Sequence, residues 1–175
     1  MTGFTTFSDG QTVRGLNLRS QAEEVSLQAA RQLEPFTLPV RLHDMWTALP
    51  GTPPNATSVT PSWLGRELLP LMYIVEVLDG GADFRWRLFG TEHTLRYGAE
   101  ATGMRLSDAA KRDTSARDSL TFARRVYATG VPCFYVTDFF GELGLIKRSY
   151  TVILPLRGPD GTVSRLFGCA SWEKP

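Results

Sequence analysis

Histidine and cysteine are both scarce in this chain of 175 residues, which contains two of each: His43, His93, Cys133 and Cys169. With only two histidines, most His-based metal sites are unavailable. The cysteines have no metal-type spacing, and both fall in predicted strands. Because free cysteine is among the most buried residue types, we expect two buried free thiols.

The chain also lacks a large excess of charge of one sign and a long apolar run. The formal net charge is only +1, which argues against a large phosphate-binding surface and therefore against a nucleic-acid partner. The longest apolar run, residues 68–75, contains Pro70 and is too short to span a bilayer. The first residues lack the cationic start and apolar core of a signal peptide. These absences predict no membrane span and a cytoplasmic location.

Motifs of common enzyme classes are absent as well. The chain has no G-x-S-x-G, no P-loop, no H-E-x-x-H and no G-x-G-x-x-G. No catalytic constellation is predicted.

A β-hairpin is the clearest signal that is present. Two runs rich in β-branched and aromatic residues, 71–78 and 84–89, flank an Asp/Gly cluster at which the chain can reverse. In the second run Phe84, Trp86 and Leu88 alternate with Arg85 and Arg87, so one face of the strand is expected to be apolar.

Helical and extended patterns follow one another along the rest of the chain. An amphipathic helix is predicted over residues 20–33, where Ser20 and Glu23 fit a capping box. Further helices are predicted at 40–49, 92–97 and 115–129, and strands at 133–139, 147–156 and 163–172. The predicted fold class is α+β, with a five-stranded antiparallel sheet, short helices over one face and an N-terminal helical extension. Residues 1–35 form a tail and helix, and residues 36–175 form the domain.

This order of elements resembles the PAS domain, and in particular the bacterial single-PAS proteins of the PAS_5 or DUF1457 type. The resemblance covers residues 42–172 and is carried by five short motifs: Leu69-Pro70, Arg85-Trp-Arg-Leu-Phe-Gly-Thr91, Tyr97-Gly98 to Thr102-Gly103, Thr129-Gly130-Val-Pro132, and Leu154-Pro155-Leu156. It implies a curved sheet with strand order 2-1-5-4-3, a small cavity under the helices, and a role in binding a ligand or passing on a signal.

The same resemblance argues against two cofactors and identifies none. PAS proteins that bind haem usually place a histidine where residues 102–110 lie here, and this segment has none. The flavin-binding group carries an Asn-Cys-Arg motif that this chain lacks. The cofactor therefore stays unknown.

Six residues are candidates for lining the implied cavity: Trp86, His93, Tyr97, Tyr135, Arg148 and Tyr150. Arg148 and Tyr150 are two residues apart on one strand and project from the same face. Arg148 is part of an anion-recognising pocket, or lies in solvent at the start of its strand, or pairs with Asp138 or Glu142 across a hairpin.

The leading hypothesis is a non-catalytic PAS-type sensory module, with a possible small-molecule ligand and a possible signalling-protein partner. A homodimer is expected through the helix at residues 20–33. One alternative is a small ketosteroid-isomerase-like enzyme that uses Asp138 or Glu76 as a base in an apolar cavity. Another is a structural dimer whose aromatic side chains fill the core.

Overall fold

The computed structural model describes residues 4–6, 12–14, 19–97, 100–141 and 143–173. Its strands are β1 (Phe4–Thr6), β2 (Thr12–Arg14), β3 (Arg19–Val25), β4 (Met72–Leu78), β5 (Asp83–Phe89), β6 (Cys133–Gly141), β7 (Gly144–Arg157) and β8 (Val163–Glu173). Its α-helices are α1 (Leu27–Ala30), α2 (Thr37–Thr47), α3 (Pro61–Leu68), α4 (Thr91–Tyr97), α5 (Leu106–Ala110) and α6 (Thr114–Thr129). Short 3₁₀ turns are Glu34–Phe36, Ala56–Ser58, Leu69–Leu71 and Asp79–Gly81.

The centre of the fold is an antiparallel sheet with the strand order β3-β6-β7-β8-β4-β5. Strands β4 to β8 are the five that the sequence predicts, and they are neighbours in the predicted order 2-1-5-4-3. The α+β class is thus confirmed, whereas the count of five strands is wrong because β3 adds a sixth. Of the residues that precede β3, the structure describes only β1 and β2, and they pair with each other.

The predicted helix at residues 20–33 is wrong over its first half. Residues 19–25 pair along their whole length with β6, from Arg19 opposite Phe140 to Val25 opposite Phe134. Local helix propensity is a weak preference, and a full ladder with a neighbouring strand overrides it. The homodimer expected through this helix therefore loses its physical basis.

A helix does begin shortly afterwards, but it is only one turn long. Ser26 caps α1 by accepting a hydrogen bond from the Ala29 N–H at 3.1 Å. The Ser20 hydroxyl, predicted as a cap, instead lies 2.6 Å from Thr114 Oγ1 at the start of α6. The predicted capping box of Ser20 and Glu23 is therefore wrong, because both residues lie in β3.

Helices cover both faces of the sheet, whereas the sequence predicted helices over one face only. On the first face α2 and α3 pack through Leu42, Leu64 and Leu68 on the sheet. On the second face, which we call the cavity face, α5 and α6 pack on the sheet through Leu106, Leu120, Ala123 and Val126. Alternation along the strands supplies both cores, since successive side chains point to opposite faces. No helix within the described residues is long and apolar enough to cross a bilayer.

The β4–β5 hairpin is present as predicted, with one irregularity that matters for the cavity. The pairing register shifts along it and leaves Arg87 as an extra residue in β5. This bulge breaks the expected alternation, so Trp86 and Phe89 line the cavity while Leu88 is 37% exposed. The turn requires Gly81, which has a φ of +91° and would overlap the Tyr127 ring if it carried a Cβ.

Candidate functional site

A small cavity lies between the cavity face of the sheet and the helices α4, α5 and α6. Its volume is about 70 Å³. One wall carries hydroxyl groups, which we call the hydroxyl wall: Ser115, Ser119, Tyr135, Thr137, Ser149 and Thr151. A second group of lining residues carries rings, and we call this group the aromatic wall: Tyr73, Trp86, Phe89, His93, Phe139 and Trp172.

Cross-strand pairing builds the hydroxyl wall. Tyr135 of β6 lies opposite Thr151 of β7, and Thr137 lies opposite Ser149. Two such neighbouring pairs on one face bring four side chains into a single block. The Tyr135 hydroxyl lies 3.2 Å from Ser119 Oγ on α6, which connects the sheet to the helix layer.

Tyr135 is a neutral hydroxyl at any ordinary pH. Burial raises the pKa of its phenol to about 12, and the hydrogen bonds with Ser119 and Thr151 oppose this only in part. The group can therefore donate one hydrogen bond and accept others, but it supplies no charge.

Thr137 and Ser149 bring two further hydroxyl groups to the cavity. Both residues are buried, at 3% and 4% exposure, and both line the cavity. A hydroxyl in a buried site is stabilised by a hydrogen-bond partner, so these two groups favour a polar occupant of the cavity.

His93 of α4 sits among the rings of the aromatic wall. Its ring centroid lies 5.1 Å from that of Phe89, 5.9 Å from that of Tyr73 and 6.4 Å from that of Trp172. Nε2 lies 2.6 Å from the Leu71 carbonyl oxygen; since a carbonyl only accepts, the proton is on Nε2. Burial lowers the pKa of His93, which keeps the ring neutral.

Three of the six predicted residues meet at this cavity. Trp86 and His93 belong to the aromatic wall and Tyr135 to the hydroxyl wall. The backbone of Tyr97 ends α4, but its side chain lies outside the described residues.

Arg148 and Tyr150 lie on the opposite face of β7 from Ser149 and Thr151. The Arg148 guanidinium binds both carboxylate oxygens of Asp138, with an Nη2–Oδ2 distance of 2.9 Å. This is the hairpin pairing that the sequence left open. Tyr150 packs edge-on against Phe36, with ring centroids 5.1 Å apart. Neither side chain reaches the cavity, because alternation along β7 turns both toward the first face.

Several lining residues escaped the sequence analysis. Thr137, Ser149 and Thr151 were visible as polar residues at alternate positions in otherwise apolar strands, a pattern typical of one polar patch on a buried face. Phe89 carried no such signal because the bulge in β5 reverses its orientation.

The carboxylates that the enzyme hypothesis requires are not at the cavity. Glu76 binds Arg85 and Arg87, and Asp138 binds Arg148. Among the described residues that line the cavity there is no Asp, Glu, Lys or Arg. Over the same part of the chain, no three His, Cys, Asp or Glu side chains come together as a metal site. Both cysteines are buried and free, as predicted.

Comparison with known proteins adds no assignment to this geometry. A scan against protein-family models finds no match, and a search of the curated proteins finds none with significant similarity.

Proposed function

We propose that this chain is a non-catalytic sensory module of the PAS type, which binds a small ligand in the cavity and passes the signal through its surface. The observation that carries the proposal is the cavity itself, which is lined by neutral hydrogen-bonding groups and by rings. The strand order of β4 to β8 and the position of α4 to α6 on one face support the same reading.

The arrangement of the walls suggests how occupancy would be transmitted. The hydroxyl wall belongs to two layers, since Ser119 is on α6 whereas Thr137 and Ser149 are on the sheet. A ligand that bonds to both layers stabilises one spacing between them. Because a ligand shifts an equilibrium only through its differential affinity for two states, this bridging contact is the source of the signal. The output surface is either a dimer contact or a docking site for a signalling protein.

The second candidate is a structural dimerisation protein whose rings fill its own core. The small volume favours it, since pockets for ordinary ligands measure about 300–1,000 Å³ and this cavity measures about 70 Å³. The two candidates predict different results for a variant in which a larger side chain fills the cavity. Only the sensor binds a ligand that such a substitution excludes.

A fragment screen by ligand-observed NMR tests this difference. The native chain is compared with Ala170→Leu, which adds a larger side chain at a buried position of the cavity. The matched control is Ala48→Leu, because Ala48 is exposed at the end of α2. Ala123→Val on α6 fills the same cavity by a smaller step and replaces Ala170→Leu if that variant does not fold.

The sensor proposal expects fragments that bind the native chain and the control but not the filled variant. Hydrogen exchange in α4 to α6 should slow when such a fragment binds. If the filled variant and the native chain bind the same fragments, the sensor proposal is wrong and the self-filled core remains.

A further inference from the structure

We infer that the cavity selects an uncharged ligand of about four or five heavy atoms that both donates and accepts hydrogen bonds, such as a primary amide. The inference deepens the proposed function and depends on it, since it names the ligand class for the same cavity. Three observations carry it: the charge of the walls, the chemistry of their polar groups and the volume they enclose.

The described part of the walls offers no counter-charge. No ionised side chain is among the described lining residues, and the lining groups His93 and Tyr135 are both neutral. A buried charge without a partner is far more costly than a neutral polar group. A carboxylate or an ammonium group would therefore lose its hydration without gaining an ion pair.

Lys147, a cation that lies over two rings of the aromatic wall, already has partners. Its Nζ donates to the Arg96 carbonyl oxygen at 3.1 Å. It also lies 4.8 Å from the centroid of Phe139 and 5.2 Å from that of Trp172, over rings of the aromatic wall. Cation–π contacts of this kind occupy the ammonium group, so it is not available as a counter-ion inside the cavity.

The polar groups require a partner that can act in both directions. A hydroxyl donates one hydrogen bond and accepts up to two. Thr137 and Ser149 each present such a group from adjacent strands. A primary amide carries a donor and an acceptor on one planar group and matches this pair. The rings of the aromatic wall accommodate a short apolar end.

The volume sets the size. A cavity of about 150 Å³ holds one benzene molecule, and the cavity here is about 70 Å³. Ligands with a ring system the size of a flavin or a haem are too large for it as it stands. For a ligand of four heavy atoms, dissociation constants on the order of 1 mM are expected.

The test uses three probes of the same shape and different charge: acetamide (neutral), acetate (−1) and acetamidinium (+1). The chain has four tryptophans, and their indole ¹H–¹⁵N signals report on different places. Trp86 and Trp172 line the cavity, and we call them the cavity tryptophans. Trp46 and Trp63 lie on the first face, against Pro155 and Phe167, and serve as internal controls.

We expect acetamide to shift the cavity tryptophans along a saturating curve and to leave the other two in place. Acetate and acetamidinium should bind at least tenfold more weakly. Thr137→Val, which keeps the shape and removes the hydroxyl, and Ser149→Ala should each weaken acetamide binding by about threefold or more. Thr121→Val, an exposed position of α6, is the matched control and should leave binding unchanged.

The possible contrary results separate two kinds of failure. If acetate or acetamidinium binds as tightly as acetamide, the charge selectivity is wrong while the cavity remains a binding site. If none of the probes shifts the cavity tryptophans, or all four tryptophans shift together, the ligand class is wrong. In that event the fragment screen with the filled variant still decides whether the cavity binds any ligand, and so judges the proposed function separately.

Discussion

Asp83 is the side chain whose removal tests the architecture around the cavity most directly. It begins β5 and is 6% exposed. Its Oδ1 accepts from the N–H of Phe84 at 2.8 Å and of Ser107 at 3.1 Å. Its Oδ2 accepts from Ser107 Oγ at 2.6 Å and from Arg105 Nη1 at 3.3 Å. One buried carboxylate thus holds the first turn of α5 against the sheet.

Replacing Asp83 by Asn keeps the size and removes the charge. The asparagine amide has only one acceptor oxygen. Its NH₂ group must therefore take the place of Oδ1 or Oδ2 and face the hydrogen-bond donors there. Hydrogen bonds to a charged group contribute about 1.5–3 kcal/mol each, and a buried donor left unpaired costs about 1–3 kcal/mol. We expect Asp83→Asn to lower the free energy of unfolding by about 2–4 kcal/mol.

Asp79→Asn is the matched control, because the same arginine binds both carboxylates. Arg105 Nη1 lies 3.0 Å from Asp79 Oδ2, but the Asp79 side chain is 62% exposed. Exposed ion pairs contribute about 0–1 kcal/mol. Asn also tolerates the left-handed conformation at this position, where φ is +51°. The control should therefore cost less than 1 kcal/mol.

Urea unfolding followed by tryptophan fluorescence measures both variants. The reasoning is refuted if the two substitutions cost the same, or if Asp83→Asn costs less than 1 kcal/mol.

The pH dependence of stability gives a second check. Burial raises the pKa of Asp83, but the hydrogen bonds from Ser107, Phe84 and Arg105 outweigh it and hold the pKa below its ordinary value. The stabilisation is thus complete above the unfolded pKa of about 3.9 and is lost as the pH falls through the lower folded value. The difference between the native chain and Asp83→Asn should shrink below about pH 4.

Three further predictions concern the cavity and its surroundings. Gly168→Ala places a Cβ on the Val152 carbonyl oxygen and should lower the free energy of unfolding by about 3 kcal/mol, measured in urea. Because burial lowers the pKa of His93, the unfolded chain binds its proton first, and stability should fall as the pH drops below about 6.5, by up to about 1.4 kcal/mol per pH unit. Urea unfolding at pH 7.5 and 5.5 should show this loss in the native chain and in His43→Gln but not in His93→Gln. Arg148→Met should leave the acetamide-induced shifts of the cavity tryptophans unchanged, and a loss of binding would contradict the placement of Arg148 on the first face.

Most of the sheet could be predicted from the sequence because its signals are local. The strands β4 and β5 follow from dense β-branched and aromatic residues around an Asp/Gly turn. The end of α6 follows from Gly130, which has the left-handed φ of +68° expected just after a helix, and from Pro132. Pro155 cannot donate a ladder hydrogen bond, and it lies just beyond the β6–β7 pairing, which begins with Cys133 opposite Ile153.

The features that sequence reasoning missed depend on partners far away in the chain. β3 is a strand because β6, more than 100 residues later, offers it a ladder. The face on which Arg148 lies follows from alternation along β7, and its cross-strand partner Asp138 lies on the same face of the sheet. The position of Phe89 depends on a one-residue bulge, which no periodicity reveals. Half of the predicted site residues line the cavity. They are Trp86, which precedes the bulge in β5, His93 on α4 and Tyr135 on β6.

The edge position of β3 means that the start of this domain cannot be trimmed as if it were a removable arm. A chain shortened to begin at Phe36 would leave the main-chain N–H and C=O groups of β6 without their partner strand over residues 134–140. That segment includes Phe134, Tyr135 and Val136, and an unpaired apolar strand of this kind is a template for intermolecular pairing. Self-association of the shortened chain would then report an artefact of the cut rather than a native oligomer.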